Sequence, residues 1–325
     1  MARPNFNVQI SAVRPLTDRV REYLLTSVDG SPLPSYSAGS HVALHTESAE
    51  RGLIVRHYSL VGGQDLDDDA RHTYRIAVQR EEPARGSAHI HETFEPGTRL
   101  RIGPPVNNFP LDRRDKTVLL IAGGIGITPI FSMARSLQRR RCDYRVFYTG
   151  RRAEGMAYHA ELARLAGERA QFHYSASQGQ ADMEALLRAQ PESVQVYVCG
   201  PKPMIDACHA AAARLGWPPE RVRSEQFTAA ITGDAKPFSV YLQRSGKTVQ
   251  VGSDVSILDA LLAEGVPVLW DCRRGECGLC PQNVISAEGG IEHHDHYLTP
   301  EEKAADASLC ICVSRARGPM LVLDA

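Results

Sequence analysis

Residues 271–280 read DCRRGECGLC, and the reading of this stretch decides how the rest of the chain divides. Cys272, Cys277 and Cys280 stand in C-x4-C-x2-C spacing, by which plant-type sites wrap three thiolates around a [2Fe–2S] cluster while a distant fourth cysteine closes it. Soft sulfur ligands suit iron. A loop tight enough to converge three of them needs residues that turn sharply, and Gly275 and Gly278 supply that freedom. Two downstream cysteines qualify as the fourth ligand, Cys310 and Cys312. They are two positions apart, so in an extended strand both project to one face and alternation does not choose between them. Zinc knuckles use paired C-x2–4-C units, whereas this chain has one triple and a distant partner. Iron–sulfur is therefore the expectation and structural zinc the alternative.

Around that loop the residues from 237 onward read as one small module. PFSVYLQRSGKTVQV is a strand pair turning at Ser245-Gly246, SILDALLAEG is a helix, and the loop with two further strands completes it. From 237 to 325, twelve Asp and Glu face seven Lys and Arg. That excess suits a basic partner surface, although it serves solubility more often. His293, His294 and His296 sit together in GGIEHHDHYL; three histidines in a loop without carboxylate geometry are expected to be solvent-exposed. Upstream, AAITGDAKP lacks apolar period and reads as a linker.

Residues 112–228 alternate strands such as KTVLLIAGG and DYRVFYTG with helices such as TPIFSMARSLQRR, which implies a parallel sheet covered on both faces. GGIGITP, Gly123 to Pro129, lies at the first strand-to-helix turn. There Thr128 is expected to cap the helix and Pro129 to be its first residue, while the glycines let a pyrophosphate approach the backbone amides. Residues 6–111 read instead as short strands between Pro- and Gly-marked turns, which predicts a closed antiparallel barrel with HIHETF as its one brief helix.

A length of 325 residues predicts two or three domains. Hydrophobic content of 43% and a net charge of −1 describe a soluble globular protein and exclude the basic excess of a nucleic-acid binder. No apolar run of about 18 residues predicts a membrane span, and the first residues lack the apolar core of a signal peptide. Eight cysteines without a secretory signal predict reduced thiols in the cytoplasm.

DCRRGECGLC with the tail ICVSRARGPMLVLDA, together with RHYSL, AVQREEPARGSAHIH, GGIGITP, CGP and SEQF, resembles the phthalate dioxygenase reductase family along nearly the whole chain. The resemblance implies a multidomain protein. Its parts would be an antiparallel β-barrel flavin domain over 1–111, an α/β parallel-sheet nucleotide-binding domain over 112–228, a linker over 229–236 and an α+β β-grasp plant-type ferredoxin domain over 237–325. It implies FMN, with Arg56, His57, Tyr58 and Ser59 along the isoalloxazine and ribityl chain. Ala77, Val78 and Gln79 would border the ring, Gly86 and Ser87 would take the phosphate, and Thr128 and Phe227 would lie near the flavin. It implies NAD(P)H on Gly123, Gly124, Gly126, Thr128, Pro129, Arg151, Cys199, Gly200 and Pro201, and it selects Cys312 as the fourth cluster ligand.

There are two departures from the family pattern: Gln79 stands where lysine is common, and the RGS loop has one glycine where two are common. NADH is expected on family grounds, with NADPH the alternative, since HYSASQGQ carries no acid for a ribose hydroxyl and Arg151 with Arg152 would suit a 2′-phosphate. The implied function is the reductase component of an oxygenase system. A hydride would pass from NAD(P)H to FMN, and single electrons through the cluster to a Rieske-type non-haem iron oxygenase. No catalytic acid or base is required. A cytochrome P450 is the alternative acceptor, and a non-redox zinc-binding interaction protein is the alternative from another class. A monomer is expected, with neither nucleic acid nor membrane as partner.

Overall fold

The computed structural model describes residues 5–48, 52–62, 72–80, 87–227, 235–253, 255–270, 275, 278–295 and 297–325. Contacts gather the chain into two compact units, Met1–Gln226 and Phe227–Ala325.

The first unit begins with β1 (Phe6–Thr17), β2 (Val20–Ser27), β3 (His41–Ser48), β4 (Gly52–Ser59), β5 (Thr73–Gln79) and β6 (Arg99–Ile102). These pair antiparallel in the order β4-β3-β6-β1-β2-β5. Alternation turns Val8, Ile10, Tyr23, Leu25, Val42, Leu44, Tyr74 and Ile76 into a shared interior. The two ends of the row then meet, because Val61 N donates to Arg75 O at 2.8 Å. The expected barrel is closed. Helix α1 (Ser87–Thr93) is tied to it by His91 Nε2 on Val78 O at 2.9 Å and by Arg21 Nη1 on His91 O at 2.6 Å.

The same unit continues with β7 (Thr117–Gly123), α2 (Ile127–Arg139), β8 (Asp143–Gly150), α3 (His159–Ala166), β9 (Ala170–Tyr174), α4 (Ser175–Gln178), α5 (Met183–Arg188), β10 (Gln195–Cys199), α6 (Lys202–Arg214) and β11 (Val222–Glu225). The strands are parallel in the order β11-β10-β7-β8-β9. β7 shows no polar alternation because a central parallel strand is covered on both faces, and Leu119, Leu120, Ile121 and Ala122 are all buried. Winding reverses between β7 and β10, so a crevice opens at their carboxyl ends. β9 stops at Tyr174; Gln178 Oε1 accepts from Tyr174 N at 2.6 Å and the chain turns into α4. α2 reaches back to the barrel, where the Ser132 hydroxyl donates to Gly62 O.

The second unit contains β12 (Phe238–Leu242), β13 (Lys247–Val251), α7 (Ile257–Ala263), β14 (Pro281–Ala287), β15 (Ile291–Glu292), α8 (Pro300–Ala305), β16 (Ser308–Cys310), β17 (Arg315–Ala316) and β18 (Met320–Leu323). One sheet has the order β13-β12-β18-β14-β16, with β12 and β18 parallel and the other pairs antiparallel; β15 and β17 form a separate ribbon. This is the expected β-grasp, with α7 burying Ile257, Leu258 and Leu261. Ser256 caps α7 by accepting from Asp259 N at 3.0 Å. Among the described residues five strands follow the cluster loop rather than two, because several are too short for alternation to register. α8 carries its own start signal, in which Thr299 and Glu302 form a capping box around Pro300. No helix among the described residues is long and apolar enough to cross a membrane.

Candidate functional site

Three groups of residues gather at places the fold makes special. The first is the switch point of the parallel sheet. Gly123 ends β7, Gly124–Gly126 form a 3₁₀ turn, and α2 starts at Ile127. Thr128 is thus inside the helix rather than its cap. Its hydroxyl donates back to Ile125 O at 3.0 Å, and Pro129 is the third helical residue rather than the first. Cys199 ends β10 and is followed by Gly200 and Pro201.

The two turns are pressed together through their backbones. A methyl group on Gly126 would lie 2.2 Å from Cys199 O, and one on Gly200 would lie 3.0 Å from Gly123 Cα. Gly124 differs, with φ +55 and nothing within 4 Å of where its Cβ would be. Glycine is thus required for closeness at positions 126 and 200 and leaves an open approach at 124, which fits a phosphate against backbone amides. Arg151, after β8, is exposed, and its carbonyl accepts from Ala176 N at 3.1 Å.

Glu225 was not singled out by sequence. It ends β11 in register with Cys199 and is 1% exposed. A carboxylate buried at the carboxyl edge of a parallel sheet, next to a switch point, is where ligand-facing groups gather. The signal in the sequence was an acid closing a strand of that sheet.

The second group lies on the barrel. Arg56, His57 and Tyr58 are half-buried on β4, and Arg56 Nη1 donates to Val55 O at 2.9 Å. His57 packs edge-on to His41 with centroids 5.2 Å apart. Ser59 is buried, and its hydroxyl finds no hydrogen-bond partner among the described residues. Buried hydroxyls are rarely left so, and a bound polar ligand is one way to satisfy this one. On β5, Ala77 and Val78 are buried and Gln79 is half-buried. The seam joined by Val61 and Arg75 brings β4 and β5 together, so the segments at 56–59 and 77–79 are neighbours. Ser87 is buried as the first residue of α1; Gly86 lies outside the described residues. Burial lowers the His91 pKa, which leaves a neutral ring donating to Val78 O. Phe227 is the first residue of the second unit.

The third group is the cysteine cluster. Cys272 and Cys277 lie outside the described residues. Cys280 and Cys312 are buried with their sulfurs 3.1 Å apart. β16 stops at Cys310, and the chain folds into a turn in which Val313 N and Ser314 N both reach Cys310 O, at 3.1 and 3.0 Å. The extended-strand geometry that left Cys310 and Cys312 equivalent does not apply. Hydrogen bonds from Cys310 and then Cys312 lower the Cys280 pKa, which favours the thiolate that iron requires. Gly275 and Gly278 have φ +73 and +69. A Cβ would strike Asp295 Cα at 2.7 Å from the first and the Tyr297 ring at 2.2 Å from the second. The adjoining sulfurs of Cys280 and Cys312, beside a loop whose Gly275 and Gly278 leave no room for a Cβ, fit an iron–sulfur cluster.

Two features behind this loop correct or extend the sequence reading. The His293 side chain is only 9% exposed, with Nε2 3.0 Å from Asp306 and Nδ1 3.5 Å from Asp295, so it is not the solvated residue expected. His294 pairs with Glu292 at 3.2 Å, and His296 lies outside the described residues. In the VSRA segment, Arg315 is buried and donates to the carbonyls of Val255, Gly252 and Lys236 at 2.7, 2.8 and 3.1 Å. Its place in the motif is structural.

Residues 120–210 match the oxidoreductase NAD-binding domain, and residues 240–317 match the 2Fe-2S iron-sulfur cluster binding domain. The chain is 39% identical to the heme-dependent oxidative N-demethylase beta subunit of Ectopseudomonas mendocina (strain ymp), over 98% of each chain. It is 37% identical to the carnitine monooxygenase reductase subunit of Escherichia coli (strain K12), again over 98% of each. Among solved structures it matches phthalate dioxygenase reductase, described as a modular structure for electron transfer from pyridine nucleotides to [2Fe-2S]. The TM-score is 0.82 at 32% identity, covering 99% of this chain and 98% of that one.

Proposed function

The chain belongs to the phthalate dioxygenase reductase family of NAD-linked, iron–sulfur oxidoreductases, and from that premise we propose that it relays electrons from NADH through FMN and a [2Fe–2S] cluster to a Rieske-type oxygenase. When bound, FMN supplies the ability to accept one hydride and pass on its electron pair one electron at a time to an iron–sulfur centre of about −400 mV. The chain's own residues bind and orient. The glycines at 123, 124 and 126 and the Cys199-Gly200-Pro201 turn would seat the dinucleotide at the switch point, with Thr128 and Pro129 behind them. Arg151 would face its phosphates.

Arg56, His57, Tyr58 and Ser59 would line the flavin, Ala77, Val78 and Gln79 would border its ring, and Gly86 with Ser87 would hold its phosphate. Cys272, Cys277, Cys280 and Cys312 would hold the cluster. The observation that carries the reading is the glycine-only backbone approach at the switch point, joined in one chain to converging cysteine sulfurs. We place the protein in the cytoplasm as a monomer, with the domain boundaries drawn from its sequence.

A haem-containing oxygenase is the second reading of the acceptor, favoured by the name of the 39%-identical relative. One preparation tests the core claim. Freshly purified protein is expected to be yellow-brown, and heat-released flavin should co-migrate with FMN. A colourless, zinc-containing protein, or release of FAD, would overturn it. Reconstitution with purified oxygenases of each class then decides the acceptor.

A further inference from the structure

Glu22 and Tyr158 are 136 positions apart and sit in different halves of the first unit. Glu22 is on β2, 4% exposed, directly opposite Ala77 of β5 in register. Arg14 Nε lies 3.1 Å from its carboxylate and Arg75 Nε 3.5 Å. Tyr158 precedes α3 with φ 58 and ψ 17, a left-handed conformation that a residue with a side chain keeps only when its surroundings hold it. Those surroundings are explicit. The phenol donates to Glu22 Oε2 at 2.8 Å, and the ring stacks on Phe131 of α2 with centroids 5.3 Å apart and planes at 18°. Burial, reinforced by the Glu22 charge, keeps the phenol pKa well above its ordinary value, so it remains a donor at neutral pH.

The contacts continue toward the nucleotide turn. Ala157 O accepts from the Tyr148 hydroxyl at 3.1 Å, and that same hydroxyl lies 3.2 Å from Gly124 O. Gly124 is the open glycine of the switch-point turn. A chain of short polar contacts thus runs from the barrel strand opposite Ala77, through Tyr158 and Tyr148, to the backbone expected to meet the dinucleotide. Arg14 adds a second tether, from Nη1 to Glu161 Oε1 on α3 at 2.8 Å.

We propose that Tyr158 is a positioning residue for hydride transfer, its bond to Glu22 setting the spacing between the flavin-bearing strands and the nucleotide turn, which presumes the flavin–nicotinamide reading above. A hydride moves only at contact distance, and a displacement of about 1 Å costs orders of magnitude in rate. A hydrogen bond to a buried charged acceptor is strong and directional enough to fix that spacing.

Tyr158→Phe keeps the ring and its stack and removes only the donor. In full-length, flavin-loaded protein, the stopped-flow rate of flavin bleaching at saturating NADH is expected to fall about tenfold, the equivalent of one hydrogen bond to a charged acceptor. Independently of activity, hydrogen–deuterium exchange of the 123–127 backbone in nucleotide-free protein should quicken by about the same factor. On the barrel side, Glu22→Gln keeps an oxygen acceptor but not the charge and should recover part of the rate that Glu22→Leu loses. A Tyr158→Phe protein with wild-type bleaching and exchange overturns the proposal. So does one that fails to fold or to retain flavin, since the bond would then be a folding contact. Wild-type protein that NADH does not bleach at all would instead overturn the parent reading.

Discussion

The turn after β7 and the loop before β14 are both rich in glycine, yet the glycines stand there for different reasons. At the switch point Gly126 has φ −59, a value any residue adopts; what forbids a side chain is the Cys199 carbonyl 2.2 Å from the would-be Cβ. In the cluster loop Gly275 and Gly278 have positive φ and face neighbours as well. Gly124 has the positive φ without the crowding. Backbone closeness, handedness and the two combined are therefore separable in one molecule. The comparison teaches that a rigid carbonyl is a harder wall than an exposed ring.

The largest effect should come from the cysteine expected to close the cluster from outside its loop. Cys312→Ser is expected to abolish the iron–sulfur absorption and reduce cytochrome c turnover to background, whereas Cys310→Ser should keep both; the opposite pattern would reassign the fourth ligand. Next is Gly126→Ala, where backbone must move away from backbone. A cost of about 3 kcal/mol or more is expected, with flavin reduction by NADH falling about a hundredfold. Thermal unfolding and stopped-flow bleaching would measure the two, and a near-normal variant would show that the turns are not in fixed contact.

Gly278→Ala should be milder. The left-handed conformation costs about 1 kcal/mol, but the Tyr297 ring is half exposed and can swing aside, so a loss of about 1–2 kcal/mol confined to the second unit is expected. Cluster retention during a urea titration, with unchanged flavin bleaching, is the check. The smallest effect belongs to Gly124→Ala, about 1 kcal/mol or less of stability and a rise of a few-fold in the KM for NADH, read from steady-state dye reduction. If Gly124→Ala were as damaging as Gly126→Ala, the open approach at 124 would not exist.

The parts of the site that rest on residues with singular chemistry were legible in the sequence. Thiolate spacing named the cluster loop, and a glycine run after a β-branched strand named the nucleotide turn. Alternation in β1–β6 and its absence in β7 distinguished barrel from parallel sheet. What escaped had no local signature. The Glu22–Tyr158 bond joins positions 136 residues apart, and nothing around Tyr158 announces a left-handed residue. His293 looked solvated because its nearer carboxylate partner, Asp306, is thirteen positions away and is brought to it only by the turn that ends α8. Thr128 looked like a cap because Thr-Pro usually is one; the 3₁₀ turn at 124–126 starts the helix earlier and turns the hydroxyl inward.

The barrel seam between β4 and β5 has a consequence for how the cofactor is loaded. The main-chain bond from Val61 to Arg75 closes a sheet whose end strands are the two expected to hold the flavin. A ligand gripping both strands is then less a lodger than a stitch, holding shut the one join where a linear row of strands was bent into a ring. Emptied of flavin, the protein should breathe along that line before it loosens anywhere else in the barrel. Amide exchange at Val61 and along β5 would register the opening, and refilling the site would sew it closed.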